Sequence, residues 1–433
     1  MEVIHPRCAG VDISNRDAKV CVRIQGRGNR ATTSTVMEAA GAYWRPFYYL
    51  LEDDGLEIVL VNARDARNVP GPQDRRLGRG LAGRSGAHGL VRASFVPPPP
   101  IRELRDLTRA GTIITRERTR EIQRLEKLLE DACIKLSSVA SEITGVSGRL
   151  LLQALIDGQT EPQALAEMAR GRMRSRIPEL TEALTGRFSA HHRYMTAMYL
   201  RRIDAHTADI SDLSARIEEA MEPFRLTREI LVSIPGFSTT TAEIFIAETG
   251  ADMAVFATAG QLARWAGICP GSNESAGRVK STKTRPGSPY LKGALGIAAL
   301  SVARSNNTYF AAKYRRIASR RGPLKALVAV EHAMLTAAWH MHTTGALYQD
   351  PGADYFNLRA PTKTKARAIG QLESLGYKVT INHSQKHDKT HLNRHPFGFR
   401  KWGLAAIALA LAIAAGKRWR QQLWLMPAVR QSR

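Results

Sequence analysis

Apolar residues near the start of the chain come in short runs, whereas those further along recur at helical spacing. Residues 8–13 and 18–24 are two such runs with a turn between them, and residues 56–61 are a continuous apolar run, typical of a buried strand. Aromatic side chains recur at helical spacing in residues 43–51. Strands that alternate with a helix predict a mixed α/β sheet in residues 1–100.

Two long helical patterns follow the proline-rich stretch 97–100, which we interpret as a stiff extended linker. One runs through residues 101–135 and the other through residues 203–221, and shorter helical segments lie between them. Two such helices can pair as an antiparallel coiled-coil arm or mediate dimerisation, and an ordinary helical bundle fits the pattern equally well. Residues 101–228 are therefore predicted to be a helical arm.

A second, mainly helical domain is predicted in residues 229–345. Ile234-Pro235-Gly236 is a turn signal, and the apolar periodic run that follows it starts a new helix. This arrangement predicts a helix-hairpin-helix-like element, in which the amides of the turn face a DNA phosphate. Further apolar helices are predicted before residue 345. Residues 346–433 form a basic tail.

The charge of the chain narrows the class of partner. The formal net charge is +24 over 433 residues, which favours a polyanion partner, nucleic acid before membrane. The four cysteines lie far apart without a C-x-x-C pair, so neither a zinc site nor a disulfide framework is predicted. The apolar run 404–415 is shorter than the roughly 20 residues that span a bilayer. We expect a cytoplasmic protein with no membrane partner.

A polar, strongly cationic segment in residues 273–285 is the first candidate site. We expect it to be a flexible loop on which a serine hydroxyl can attack a phosphodiester, although a solvated basic loop is the alternative. Its cations are Arg278, Lys280, Lys283 and Arg285. Residues 304–325 carry seven more cations, including Arg315 and Arg316, with aromatic residues among them. That mixture favours contact with phosphates and stacking on bases, or else a solvated helix face.

Carboxylates at the ends of predicted strands are the second candidate site. Asp12 lies at the end of the first apolar run, and Glu38 lies in a similar position before the aromatic helix. Mg²⁺ prefers carboxylate oxygens, and nucleases hold it in this way. A lone aspartate after a strand is more often a turn former, so either acid alone is weak support for a metal site.

Several short motifs resemble the DEDD transposases of the Piv/MooV class. The N-terminal motifs are Gly10-Val11-Asp12-Ile13-Ser14 and the stretches 37–46, 61–64 and 68–71. The C-terminal motifs are Ile234-Pro235-Gly236, the stretch 266–271 and Glu274-Ser275-Ala276-Gly277. They occur in the family's order over most of residues 7–380, and the similarity ends at about residue 382.

This resemblance implies a RuvC-like, RNase H-type N-terminal domain and DNA strand exchange by an insertion sequence. In the family, four acids (Asp, Glu, Asp, Asp) bind a divalent metal, taken here as Mg²⁺, and a C-terminal serine attacks the DNA phosphate. Asp12 matches the first acid, Glu38 the second and Ser275 the serine, with Ser272 and Ser281 as weaker matches. The implied partners are DNA (element ends and target), a structured noncoding guide RNA and further copies of the chain.

The chain departs from the family pattern in two places. Arg75 and Gly78 stand where the third and fourth acids belong, beside a single Asp74, in a glycine- and arginine-rich stretch. The family's helix and strand between Asp12 and Glu38 are missing. We hypothesise two compensating reading-frame shifts, and predict impaired metal binding and cleavage. The alternatives are a RuvC-type nuclease without serine chemistry and a non-catalytic remnant that only binds nucleic acid.

Overall fold

The computed structural model describes residues 7–13, 16–24, 33–39, 41–54, 56–62, 93–271 and 273–381. The chain divides into two compact units, residues 1–360 and 361–433. The described residues of the first unit form three hydrophobic cores: one in the sheet, one at the tip of the helical arm, and one in the C-terminal helices together with the base of the arm. The predicted combination of a small mixed sheet with a mainly helical remainder is present.

Within the described residues, four strands form the N-terminal sheet in the order β2-β1-β3-β4. They are β1 (Arg7–Ile13), β2 (Ala18–Ile24), β3 (Thr33–Ala39) and β4 (Glu57–Asn62). The β1–β2 pair is antiparallel, whereas β1–β3 and β3–β4 are parallel. Helix α1 (Trp44–Asp53) packs on one face, where its aromatic residues contact Val11, Met37 and Leu60. Among the described strands β2 is an edge, and its Val20 and Val22 are 59% and 66% exposed.

The arm consists of two long helices with a small helical core at the far end. Its helices are α2 (Pro99–Asp131), α3 (Leu136–Val139), α4 (Val146–Ile156), α5 (Pro162–Glu167), α6 (Ile177–Ala183) and α7 (Ala190–Met221). The long helices α2 and α7 run antiparallel. Arg118 of α2 donates to Thr207 of α7, and Asp131, later in α2, is hydrogen-bonded to His192, earlier in α7. The predicted extended linker ends earlier than expected. Pro99 and Pro100 form the first turn of α2. The backbone N–H that proline lacks would have no intrahelical hydrogen-bond partner at that position.

The C-terminal helices surround the largest core. They are α8 (Arg225–Val232), α9 (Thr239–Thr249), α10 (Ala259–Trp265), α11 (Pro289–Ala303), α12 (Tyr309–Arg321), α13 (Pro323–Thr344) and α14 (Tyr355–Arg359). The turn between α8 and α9 packs on α11, since a Cβ at Gly236 would lie 2.3 Å from Val302 Cγ2. In the second unit, α15 spans Pro361–Ser374. Among the described residues no helix is long and apolar enough to cross a bilayer.

Candidate functional site

Asp12 and Glu38 occupy neighbouring positions at the carboxyl ends of β1 and β3. Val11 is the register partner of Met37 in this parallel pair, so the next residue of each strand lies beside the other. Both acids face away from α1, because successive side chains alternate and Val11 and Met37 pack in the core under α1. Adjacent strands lie about 4.8 Å apart, close enough for two carboxylates to share one cation. Asp12 is exposed and Glu38 is half-buried.

This acid pair supplies only part of a metal shell. Among the described residues no group of three or more His, Cys, Asp or Glu side chains could hold a metal ion. Asp74, Arg75 and Gly78, which bear on the predicted loss of the third and fourth acids, lie outside the described residues. Mg²⁺ commonly keeps several waters and binds one or two carboxylates plus substrate phosphates. The Asp12–Glu38 pair fits that mode.

The segment around Ser275 is a β-hairpin, which corrects the expectation of a flexible loop. Strands β5 (Asn273–Ser275) and β6 (Arg278–Ser281) pair antiparallel through a two-residue turn. Both turn residues have positive φ, 50° at Ala276 and 74° at Gly277, as a type I′ turn requires. The left-handed conformation costs Ala276 about 1 kcal/mol.

Ser275 lies at the end of this hairpin beside a cation. It is the cross-strand partner of Arg278, which places their Cβ atoms about 5 Å apart on one face. Glu274 pairs with Val279, so the acid of the segment faces the other side. Ser275 and Arg278 are both exposed. Ser272 lies outside the described residues, and the Ser281 hydroxyl accepts from the Lys283 amide at 3.1 Å.

The stem of the hairpin is anchored to the C-terminal helices. The Gly271 amide donates to Lys283 O at 2.9 Å, and the Arg285 amide donates to Cys269 O at 3.3 Å. Below these bonds the backbone of Gly287 lies directly against that of Ala266 and Gly267. A Cβ at Gly287 would be 2.2 Å from Ala266 O. The base of the hairpin is therefore fixed by backbone contacts that tolerate only glycine.

The cations of the hairpin have no acidic partner within the described part of the chain. Arg278, Lys280 and Lys283 are exposed and Arg285 is half-buried, and no ion pair joins any of them to a described Asp or Glu. Several arginines of the arm, by contrast, are neutralised internally; Arg149, for example, is paired with Asp204. Unpaired cations are the ones free to bind phosphates. The hairpin therefore offers a serine hydroxyl in a region of uncompensated positive charge.

A buried carboxylate connects the end of the hairpin segment to the arm. Glu248, on α9, is 1% exposed, and its Oε1 accepts from Arg109 Nε of α2 at 2.7 Å. Its Oε2 accepts from Arg109 Nη2 at 2.9 Å and from the Ser288 hydroxyl at 3.1 Å. Ser288 follows Gly287 and caps α11 by accepting from the Leu291 amide. Burial lowers the pKa of Arg109, but the hydrogen bond and charge of Glu248 outweigh it and raise that pKa.

The second cationic stretch is mostly on α12, and it differs from the sequence expectation in one respect. Arg315 and Arg316 are exposed; Arg315 donates to Asn306, and Arg316 stacks on the Phe356 ring at 4.7 Å. The prediction that the aromatic residues here stack on bases is wrong for Phe310, which is 1% exposed. Tyr309 is stacked on Phe356, with ring centroids 5.3 Å apart. The exposed Arg315 and Arg316 therefore remain as candidate phosphate contacts on this helix.

The acid pair and the serine hairpin belong to separate sheets. Residues 93–98 connect their surroundings, because the Ser94 amide donates to Leu60 O of β4 and the Phe95 ring packs on Trp265, just before the base of the hairpin. No hydrogen bond or ion pair within the described ranges joins Asp12 or Glu38 to Ser275. Sequence reasoning missed Glu248 and the hairpin. The signals available were an acid within the apolar run 242–249 and the Ala276-Gly277 turn between polar residues.

Two regions of the chain match families of known proteins. Residues 13–134 match the transposase family DEDD_Tnp_IS110, and residues 228–315 match the transposase family IS116/IS110/IS902. Two regions of the chain are therefore similar to IS110-type transposase domains. The first match contains Glu38 and starts directly after Asp12; the second contains Ser275 and the whole hairpin. Residues 135–227, which include the tip of the arm, lie between the two matched regions.

A curated relative carries similar sequence. The chain is 33% identical over 159 residues to the "Insertion element IS900 uncharacterized 42 kDa protein" of Mycobacterium paratuberculosis. The matched part is 36% of this chain and 39% of that protein. The similarity to an insertion-element protein agrees with the two matches to transposase families, and it covers less than half of either chain.

Proposed function

We propose that this protein is an insertion-sequence transposase that cleaves and rejoins DNA strands through Ser275. The observation that carries the proposal is the hairpin. It places an exposed serine hydroxyl beside Arg278, among cations that have no acidic partner in the described part of the chain. The two transposase domains support DNA as the substrate. The Piv/MooV resemblance extends the partners to a guide RNA and to further copies of the chain.

The covalent step is a transesterification at phosphorus. Ser275 Oγ forms a bond to the phosphorus of the DNA backbone, and the bond from phosphorus to a sugar oxygen breaks. The proton of the serine hydroxyl ends on the released sugar hydroxyl, so the number of phosphodiester bonds is conserved and no oxidant or further reactant is consumed. Arg278, the cross-strand partner of Ser275, and Lys280 on the same strand would stabilise the negative charge that builds up on the phosphate oxygens. Reversal of the step on another DNA end rejoins the strands.

The acid pair would hold a divalent metal that neutralises phosphate charge and orients the DNA. Asp12 and Glu38 present their carboxylates to the same face of the sheet, as such an ion requires. We further propose an RNase H-like fold for this domain and weaker metal binding than in a four-acid site. Arg75 and Gly78 occupy the positions of two acids in the resemblance. Cleavage is then expected to be slow, and less impaired in Mn²⁺, which accepts less regular coordination than Mg²⁺.

The test of this function is a search for a covalent protein–DNA adduct. Purified full-length protein is incubated with radiolabelled duplex from its element ends and Mg²⁺ or Mn²⁺, and the products are separated under denaturing conditions. We expect an adduct that disappears completely with Ser275→Ala. The matched control Ser281→Ala, on the opposite strand of the same hairpin, is expected to retain it.

The other outcomes separate the alternatives. Cleavage without an adduct, unchanged in Ser275→Ala, would establish the RuvC-type nuclease and reject the serine mechanism. Binding that weakens steeply with salt, with no cleavage under any condition, would establish the non-catalytic remnant.

The metal assignment makes a separate prediction. Asp12→Asn or Glu38→Gln is expected to raise the dissociation constant for Mn²⁺ at least tenfold, about 1.4 kcal/mol, because each removes one of two charged ligands. Binding can be followed by the loss of the free Mn²⁺ signal in electron paramagnetic resonance. Glu57→Gln is the matched control. Glu57 lies at the amino end of β4, whereas Asp12 and Glu38 lie at the carboxyl ends of their strands. Equal Mn²⁺ affinity in all the variants would refute a metal site at this pair.

A further inference from the structure

An exposed turn at the tip of the arm carries four arginines within seven residues. Residues 170–176 read Arg-Gly-Arg-Met-Arg-Ser-Arg, and Gly171–Arg176 form a 3₁₀ helix between α5 and α6. All four arginines are exposed. The turn lies outside both matched transposase domains. We call residues 170–176 the tip turn.

The backbone of the tip turn is fixed at both ends. At its start, the Ser147 hydroxyl accepts from the Arg170 amide at 3.0 Å and lies 3.2 Å from Arg170 O. At its end, Arg176 Nη1 donates to Val139 O at 2.6 Å, and Arg176 Nε donates to Glu179 at 2.5 Å. In the middle, Met173 packs on the tip core. The arginines therefore project from a preorganised turn, so binding a ligand needs little ordering of the backbone.

Three of the four arginines have charges that the chain does not neutralise. Arg176 forms an ion pair with Glu179. Within the described ranges, no ion pair joins Arg170, Arg172 or Arg174 to an acid. The surface is open beside them, because a Cβ at Gly171 would have no atom within 4 Å. Arginine is suited to phosphate because its planar guanidinium donates two parallel hydrogen bonds. A polyanionic backbone is the ligand that this surface fits.

The length of the arm is comparable to one turn of duplex DNA. Leu104 lies in the core at the base of the arm and Leu129 in the core at the tip, 25 residues apart (129 − 104) on the same helix. At 1.5 Å per residue this is about 38 Å. One turn of B-form DNA is about 34–36 Å. The arm is thus long enough for its tip to reach a duplex about one helical turn from a contact made at the base.

We propose that the tip turn is a second phosphate-binding site for duplex DNA, separate from the serine hairpin. Arg170, Arg172 and Arg174 contact backbone phosphates and hold the duplex without reading its bases. The site requires neither Ser275 nor the acid pair. It therefore survives failure of the proposed serine chemistry, and the two proposals can be tested apart.

The experiment measures DNA affinity as a function of salt. Full-length protein carrying Ser275→Ala, which prevents any cleavage, is titrated into a fluorescent duplex of about 40 base pairs, long enough to reach the tip. The variant Arg172→Gln/Arg174→Gln is compared with Arg216→Gln/Arg225→Gln, two exposed arginines already paired with Glu219 and Glu222. The control removes the same net charge from the chain. Circular dichroism and thermal melting establish that both doubles are folded.

The expected result is a change confined to the tip variant. Loss of two phosphate contacts should reduce the slope of log K against log salt by about 1.8, which corresponds to roughly 60-fold weaker binding at 0.1 M salt relative to 1 M. The control should change neither quantity. An unchanged slope in the tip variant, or an equal change in the control, would overturn the proposal. So would weaker binding of an RNA hairpin with unchanged binding of duplex DNA, since that outcome assigns the tip turn to RNA.

Discussion

Arg109→Met is expected to destabilise the C-terminal helical core by about 3–5 kcal/mol, the usual effect of removing one partner of a buried ion pair. Glu248 is 1% exposed and would lose both guanidinium hydrogen bonds to its carboxylate, which would keep the bond from the Ser288 hydroxyl; Arg105 stays nearby, donating to Glu248 O at 2.7 Å. Urea unfolding followed by tryptophan fluorescence measures the loss. Trp339 is a suitable probe because it lies in this core and its Nε1 donates to Phe256 O at 2.9 Å.

Two further variants show whether the effect arises from the buried charge. Adding Glu248→Gln to Arg109→Met is expected to recover a large part of the stability, because a neutral amide costs less to bury than an unpaired carboxylate. Arg216→Met breaks the exposed Arg216–Glu219 pair and should cost less than about 1 kcal/mol. If Arg109→Met cost no more than Arg216→Met, the network would not hold the arm to the C-terminal core.

Gly287→Ala is expected to displace the base of the serine hairpin and to cost about 1–3 kcal/mol, the range for overpacked sites. The new methyl carbon would meet the backbone of Ala266, with the carbonyl carbon at 2.3 Å, and backbone cannot move aside as a flexible side chain can. Hydrogen exchange of the amides in residues 269–287 should become faster, whereas exchange at the tip of the arm should be unchanged. The same variant should form the DNA adduct more slowly.

Gly260→Ala is the matched control for this glycine. Gly260 lies in the first turn of α10, and a Cβ there would have its closest neighbour at 3.8 Å. Alanine favours a helix by about 1 kcal/mol over glycine, so this variant should be as stable as the parent or slightly more stable. Hairpin exchange that is equally slow in both glycine variants would show that contact with Ala266 does not position the hairpin.

The serine hairpin shows where sequence reasoning reached its limit. The residues 273–281 are polar and carry no alternating apolar pattern, so nothing in them distinguishes a strand from a loop. The hairpin forms because its stem pairs from Cys269 to Arg285 and its base packs glycine against backbone. These contacts join residues about 16 to 21 positions apart, such as Cys269 with Arg285 and Ala266 with Gly287, so the periodicity of neighbouring residues does not predict them.

The pairing of arginines shows a second limit. Arg109, Arg172 and Arg278 are the same residue type, and each adds one positive charge to the net charge of +24. In the structure Arg109 is bound to a buried Glu248, whereas Arg172 and Arg278 have no ion pair within the described residues. Which cations are free for nucleic acid depends on which acids the fold brings close. These ion pairs join residues that are distant in the sequence, so a local pattern does not predict them.

The sequence by itself determined the helices of the arm and of the C-terminal domain and the strands of the sheet, and it predicts a polyanion as the class of partner. Each follows from local periodicity or from summed charge, which need no tertiary contacts. Only the tertiary structure decided that Asp12 lies beside Glu38, that Ser275 lies beside Arg278, and that Glu248 holds the arm to the hairpin segment. Strand register and buried pairs depend on packing between distant segments, so no local pattern encodes them.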